Sequence, residues 1–239
     1  MEPILYKKKI TTIVKEYYKI LNDIVNGNNS NNGLYTVSPE IYSNNETLYP
    51  PPGQAAQYDE ATFTSSIDSY FDSYGKKMQE MIATFTGPPE LADAAEEEMF
   101  KNIWELGTIL KPFYTAEFSE KVVQSLRALA LLEIQTMSFA KAKLDIKQWT
   151  DRILNFPIND LAFNLNQYNN YLDSNTIRFM LLGVVNSWLD AINAKIAKDE
   201  TKFNTSIAQA SIGLKSFSNF LSRGIIVQQP NMFRSPATI

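Results

Sequence analysis

The chain has 239 residues and contains neither histidine nor cysteine, which removes the usual zinc ligands, the commonest general base near neutral pH and all thiol chemistry. Its hydrophobic content of 44% and aromatic content of 12% are enough for a substantial core. The formal net charge of −4 argues against a general nucleic-acid binder, which needs a basic face.

The N-terminus, Met1-Glu2-Pro3-Ile4-Leu5-Tyr6-Lys7, lacks the basic-then-apolar layout of a signal peptide, so secretion through one is not expected. Residues 4–25 predict an amphipathic helix. Ile10, Ile13, Val14, Tyr17, Leu21 and Ile24 recur at three- and four-residue spacing, and Asn26-Gly27 stops the pattern. Lys7-Lys8-Lys9 is a solvated face of that helix. Residues 26–60 predict a long extended arm. Its asparagine tract Asn28-Asn29-Ser30-Asn31-Asn32 favours turns, and Pro50-Pro51-Pro52 favours polyproline geometry. Tyr35, Tyr42, Tyr49 and Tyr58 punctuate this arm, which suits either a docking strap or a plain linker.

Helical periodicity returns over 61–86 through Phe63, Ile67, Tyr70, Phe71, Tyr74, Met78, Met81, Ile82 and Phe85. Gly87-Pro88-Pro89 breaks it. The next helix, about 90–110, carries Ala95, Phe100, Ile103, Gly107 and Leu110 on one face, with Glu90 and Asp93 near its positive end. A longer helix over 116–143 follows, its inner face marked by Val122, Val123, Leu126, Leu129, Ala130, Glu133, Met137 and Ala140. Residues 145–155 and 158–168 predict two short helices separated at Asn155-Phe156-Pro157. Ile177, Met180, Leu181, Val184, Trp188, Ile192 and Lys195 define a helix over 174–198. The last helix covers 200–222, closed by Arg223-Gly224, and Ile225 to Ile239 predicts an extended tail. The pattern predicts an all-α antiparallel bundle of four to six helices over 61–224, preceded by a helix and arm over 1–60 and followed by a tail over 225–239. No stretch approaches the roughly 20 apolar residues of a membrane span.

Glu133 is the main chemical candidate, because it sits on the inner stripe between Ala130 and Met137. A buried carboxylate must be paired, hydrogen-bonded or protonated. A polar site with Glu105, Asp190 or a lysine is one outcome. A structural ion pair, or a place at the rim, is the plainer one. Glu96-Glu97-Glu98 point in different directions around a helix and cannot converge on a cation. Lys195 is expected to extend its amine outward along apolar surface. Trp104, Trp149 and Trp188 are expected to anchor the core. No phosphate loop, GxGxxG or GxSxG motif is present.

Several stretches between 70 and 233 carry a family resemblance. They are Gly87-Pro88-Pro89-Glu90-Leu91, Lys101-Asn102-Ile103-Trp104-Glu105-Leu106-Gly107, Leu110-Lys111-Pro112-Phe113-Tyr114, Ala140-Lys141-Ala142 with Trp149, and Leu221-Ser222-Arg223-Gly224-Ile225 through Pro230-Asn231-Met232-Phe233. In order and spacing the region resembles a family of uncharacterised small helical-bundle proteins of spore-forming bacteria, often labelled glycosyltransferase or acetylglutamate kinase without support in their motifs. The resemblance implies a bundle whose interior carries histidines and acidic residues. Here the corresponding stretches read Leu129-Ala130-Leu131 and Gly183-Val184-Val185, which implies a bundle kept as a scaffold. The N-terminal extension and the asparagine-rich composition resemble proteins of large DNA viruses. The expectation is a non-enzymatic structural or interaction protein without cofactor, located in a virion or the cytoplasm. It would meet a protein partner, or itself, through the arm 26–60 and the C-terminal tail. The alternative is a small-molecule or metal-binding bundle with an oxygen-only interior site at Glu133 and Glu105.

Overall fold

Five of the six helices start on an oxygen-bearing cap or a proline entry that the sequence supplies locally. The structure, a computed structural model, describes residues 58–144 and 147–234. It contains helices α1 (Glu60–Thr84), α2 (Pro89–Leu110), α3 (Ala116–Lys141), α4 (Lys147–Tyr168), α5 (Ser174–Ala197) and α6 (Glu200–Gln228). Asp59, Thr115, Asp173 and Asp199 each accept a hydrogen bond from a backbone N–H of the first turn of α1, α3, α5 and α6, which satisfies a donor the helix leaves unpaired. Pro89 opens α2, where its missing N–H costs nothing. At the other end of α1, Lys141 Nζ donates to Phe85 O at 2.9 Å, a cation placed on the free carbonyls of a helix terminus.

The connections are short, so sequential helices pack antiparallel. Each helix packs against its neighbours in sequence, and α6 returns to pack on α1, closing a six-membered ring. Helix α5 also reaches α1 and α3 across the middle. Lys77–Glu98 (3.4 Å) and Asn102 Nδ2–Ser73 Oγ (3.1 Å) mark the antiparallel register of α1 and α2. In the interior Tyr74 meets Trp188 with ring centroids 5.7 Å apart, and Phe71 meets Phe217 edge-on at 5.2 Å. All eight residues of the predicted α3 stripe are buried, Glu133 among them. The described residues fall in one compact unit, and among them no helix is long and apolar enough to cross a membrane.

Three expectations change. First, Pro157 lies inside α4, which runs unbroken from Lys147 to Tyr168. An interior proline costs about 3 kcal/mol. That cost is offset by the burial of Ile158, Leu161 and Leu165 on one face, each contributing about 1.5–3 kcal/mol. Second, Arg223-Gly224 does not end α6, which continues to Gln228. Third, the segment from Ile225 is not a free extended tail. After α6 come a 3₁₀ turn, Pro230–Met232, and a strand β2 (Phe233–Arg234) that pairs in parallel with β1 (Tyr58–Asp59). Met232 and Phe233 are buried. The predicted helix 4–25, the arm through residue 57, residues 235–239 and the side chain of Trp149 lie outside the described residues.

Gly224 shows why glycine there is not a stop signal. A Cβ at this position would stand 2.8 Å from Leu172 Cγ and closer still to its Cδ2. Leu172 is fully buried in the α4–α5 turn, so it has no room to give way. The turn itself is tied down by Asn169, whose Nδ2 donates to Tyr114 Oη at 2.8 Å, while Tyr114 Oη donates to Gln228 Oε1 at 2.9 Å. Gly224→Ala is expected to cost about 1–2 kcal/mol net, the overpacking loss exceeding the gain in helix propensity. Chemical denaturation of the two proteins measures it. A stabilised alanine variant would mean that the turn does not press on α6.

Candidate functional sites: a buried carboxyl and an exposed aromatic face

Glu133 occupies the middle of the α3 stripe and is 1% exposed. Neither carboxyl oxygen has a hydrogen-bond partner. The side chain is therefore neither ion-paired nor at the rim, and both plain expectations for it are overturned. Burial holds its carboxyl well above the usual carboxylate range, so the protonated form is favoured. Tyr74 on α1 feels it electrostatically. Burial first, then the Glu133 charge, then Tyr70 push the Tyr74 hydroxyl well above its ordinary value. The hydroxyls of Tyr70 and Tyr74 are buried and unpartnered as well.

Glu105 does not join this group. It is exposed, and its Oε2 accepts from Asn102 Nδ2 at 3.2 Å. Its charge also reaches Tyr70, whose hydroxyl is pushed up by burial and secondarily by Glu105. Asp190 is exposed and faces Lys202 at 3.6 Å. Glu97 and Glu98 pair with Lys101, and Glu98 also with Lys77, on a solvated face. Lys195 lies half-buried, with Nζ 5.2 Å from the Phe203 ring centre and 3.5 Å from Glu200, as expected of a snorkelling amine. Trp188 is a buried core residue and Trp104 is half-buried. Among the described residues no three acidic side chains converge as a metal site.

A groove of about 250 Å³ between α1 and α6 is lined by Asp68, Asp72, Gly75, Ser211, Leu214 and Lys215, among others. Asp68 is already engaged there, accepting from Lys215 and from Ser218. Burial raises the Asp68 carboxyl, but these two hydrogen bonds and the lysine charge together hold it below the usual range. The groove is therefore a seam between helices fastened by an ion pair rather than a vacant charged site.

The outer side of α4 and α5 is different. Phe163 is 62% exposed, Tyr171 60% and Phe179 80%. Phe163 and Phe179 each stand on the side of the helix opposite its buried stripe. Both lie eight residues from Tyr171 in the connecting turn, so the antiparallel hairpin sets them at the same height, about 12 Å along the helices. Around them the exposed residues are mostly amides: Asn159, Gln167, Asn170, Asn175 and Asn186. A Cβ at Gly183, one turn beyond Phe179, would meet nothing within 4 Å. Sequence reasoning passed over this face. The legible signal was a phenylalanine on the polar side of each helix, off the Ile158–Leu161–Leu165 and Ile177–Leu181–Val184–Trp188 stripes.

Comparison with known protein families, with characterised proteins and with solved structures finds no match for this chain.

Proposed function

We propose that the protein is a non-enzymatic structural or interaction protein, and that its docking surface is the aromatic, amide-rich side of the α4–α5 hairpin. The observation that carries this reading is the exposure of Phe163 and Phe179 at one height on adjacent helices. Large aromatic rings are the commonest anchors of protein interfaces, and soluble monomers rarely hold them in water together. The earlier expectation of docking through the C-terminal tail moves to this face, because the tail as far as Phe233 is occupied by the protein's own core. Its particular form, a component of a viral particle, rests on the asparagine-rich extension preceding the bundle.

A photo-crosslinking benzoylphenylalanine placed at position 179 or 163 in the producing cell tests the reading. A crosslinked product is expected at both positions and not at exposed Thr205 on α6. Silence at 163 and 179 overturns it.

A second reading, an interior that holds a small ligand through oxygen atoms alone, has one observation in its favour. Glu133, Tyr70 and Tyr74 are buried polar groups without partners, and such groups in native proteins often mark an unseen water, ion or ligand. Native mass spectrometry of the full chain decides it: a stoichiometric extra mass, lost in Glu133→Leu, supports the site, and the bare chain mass removes it.

A further inference from the structure

Among the described residues Glu133 is the only buried side chain of a charged type, and its interior also holds hydroxyls that donate to nothing. We infer that Glu133 and Tyr74 form a two-position catch between α3 and α1: the neutral carboxyl lies unpaired, as in this structure, and the ionised carboxylate turns to accept a hydrogen bond from Tyr74 Oη. The catch is a device inside the bundle and does not depend on the docking face of α4 and α5.

The helix register puts the two groups close together. Helices α1 and α3 run parallel, since α2 lies antiparallel to both. Lys141 Nζ on Phe85 O sets residues 56 apart (141 − 85) about level across this pair. Glu133 therefore stands about level with position 77, some 4.5 Å along the axis beyond Tyr74, three residues at about 1.5 Å each. Both side chains face the interior, where Trp188 packs on Tyr74.

Only one free donor is in place. Among the described residues the buried donors without a partner are Tyr70 Oη, Tyr74 Oη, Ser119 Oγ and Gln135 Nε2. Ser119 lies about 21 Å down α3, 14 residues at about 1.5 Å each. Gln135 is two residues on from Glu133, about 200° around the same helix. Tyr70 is one further turn away along α1, its ring 6.4 Å from that of Tyr74.

The charges on the surrounding helices are engaged elsewhere. On α1 Lys77 pairs with Glu98, and on α2 Lys101 pairs with Glu97 and Glu98 while Glu105 is exposed. On α3 itself Lys121 pairs with Glu117, Arg127 lies 5.9 Å from the Phe100 ring, and Lys141 serves the end of α1. On α4 Asp160 accepts from Ser125 Oγ at 2.5 Å. On α5 Asp190 faces Lys202 and Lys195 faces Glu200, and on α6 Lys215 holds Asp68. An ionised Glu133 thus finds no counter-charge, and a buried carboxylate without any partner is costly. A hydrogen bond to an ionised acceptor is about twice as strong as a neutral one, so ionisation selects the second position. Tyr74 is a standing donor throughout, because burial pushes its hydroxyl well above its ordinary value.

Thermal unfolding of the full-length protein and of Tyr74→Phe, from about pH 5 to about pH 10, is the test, repeated for both in a Glu133→Gln background. While Glu133 is neutral in the folded chain, Tyr74→Phe is expected to melt with the native protein or slightly above it, since the hydroxyl removed has no partner. The sign reverses at higher pH. The catch favours the ionised form in the folded native chain, so the native protein loses less stability than the variant once Glu133 ionises. Tyr74→Phe is then expected to melt about 5 °C or more below native, the loss of a hydrogen bond to a charged group in a chain of this size. With Glu133→Gln, the shift caused by Tyr74→Phe is expected to be the same at every pH. Phenylalanine keeps the ring and its packing on Trp188, so the fold is retained. A Tyr74→Phe shift that is constant over the whole range in the native background overturns the catch. A pH-dependent shift that survives Glu133→Gln overturns it as well, because another group would then be responsible.

Discussion

Glu133→Leu is expected to stabilise the protein, by about 1–3 kcal/mol in mildly acidic solution and by more as pH rises. The acidic-pH gain is the cost of a buried polar group that has no hydrogen bond. The pH dependence comes from linkage. The unfolded chain releases the Glu133 proton near the ordinary glutamate value of 4.5, whereas burial makes the folded chain keep it to higher pH. The contribution is therefore fully present below pH 4.5 and lost as pH rises through the window above it. While the folded carboxyl stays protonated, the loss runs at about 1.4 kcal/mol per pH unit, one proton's worth. The carboxylates that the fold stabilises in ionised form (Asp59, Asp68, Glu98 and Asp173) act in the opposite sense and below this window, because their values are lowered. Urea unfolding of native and Glu133→Leu proteins from about pH 4.5 to about pH 7.5 isolates the effect. The two stability curves should diverge with rising pH. Parallel curves would mean that Glu133 has a partner, and the buried, unpaired carboxyl would have to be abandoned.

Phe233→Ala is expected to destabilise the protein by about 3 kcal/mol, within the range for a buried phenylalanine. Phe233 stacks flat on Phe113 at 5.2 Å and touches Phe63 at 5.2 Å, while Tyr58 packs on Phe113 at 4.9 Å. This cluster joins the start of α1, the α2–α3 turn and the segment after α6. For a chain of this size the loss corresponds to a melting point lower by roughly 6–12 °C. Ile212→Ala, at an exposed position of α6, is the control and should move the melting point by only a degree or two, since surface substitutions usually stay within about 0.5 kcal/mol. Equal effects of the two substitutions would show that the terminal segment does not belong to the core.

How much was legible follows from what each kind of residue reports. The α3 stripe from Val122 to Ala140 could be read because 3.6-residue periodicity is a property of sequence order, and the whole stripe is buried. Pro157 and Gly224 were read as boundaries because both disfavour helix locally. Each is inside one because of a distant contact: the apolar face following Pro157 in α4, and Leu172 against Gly224 in α6. Glu133 was picked out by its place on the stripe, but its partners were not. Whether Glu105 or Asp190 reaches it depends on how helices are rotated and staggered, and both turn to the surface. Phe163 and Phe179 were missed because a single exposed ring carries no periodic signal. They become a face only when the hairpin places them side by side.

The sequence by itself determined the all-α bundle, the positions of most helices within a few residues, and the absence of histidine and cysteine chemistry, because these depend on local propensity, periodicity and composition. Tertiary structure alone decided the closure of the ring by α6 on α1, the docking of the Phe233 segment, the isolation of Glu133 and the pairing of exposed rings on α4 and α5. Each of these depends on contacts between residues far apart in the chain, which local backbone preference does not encode.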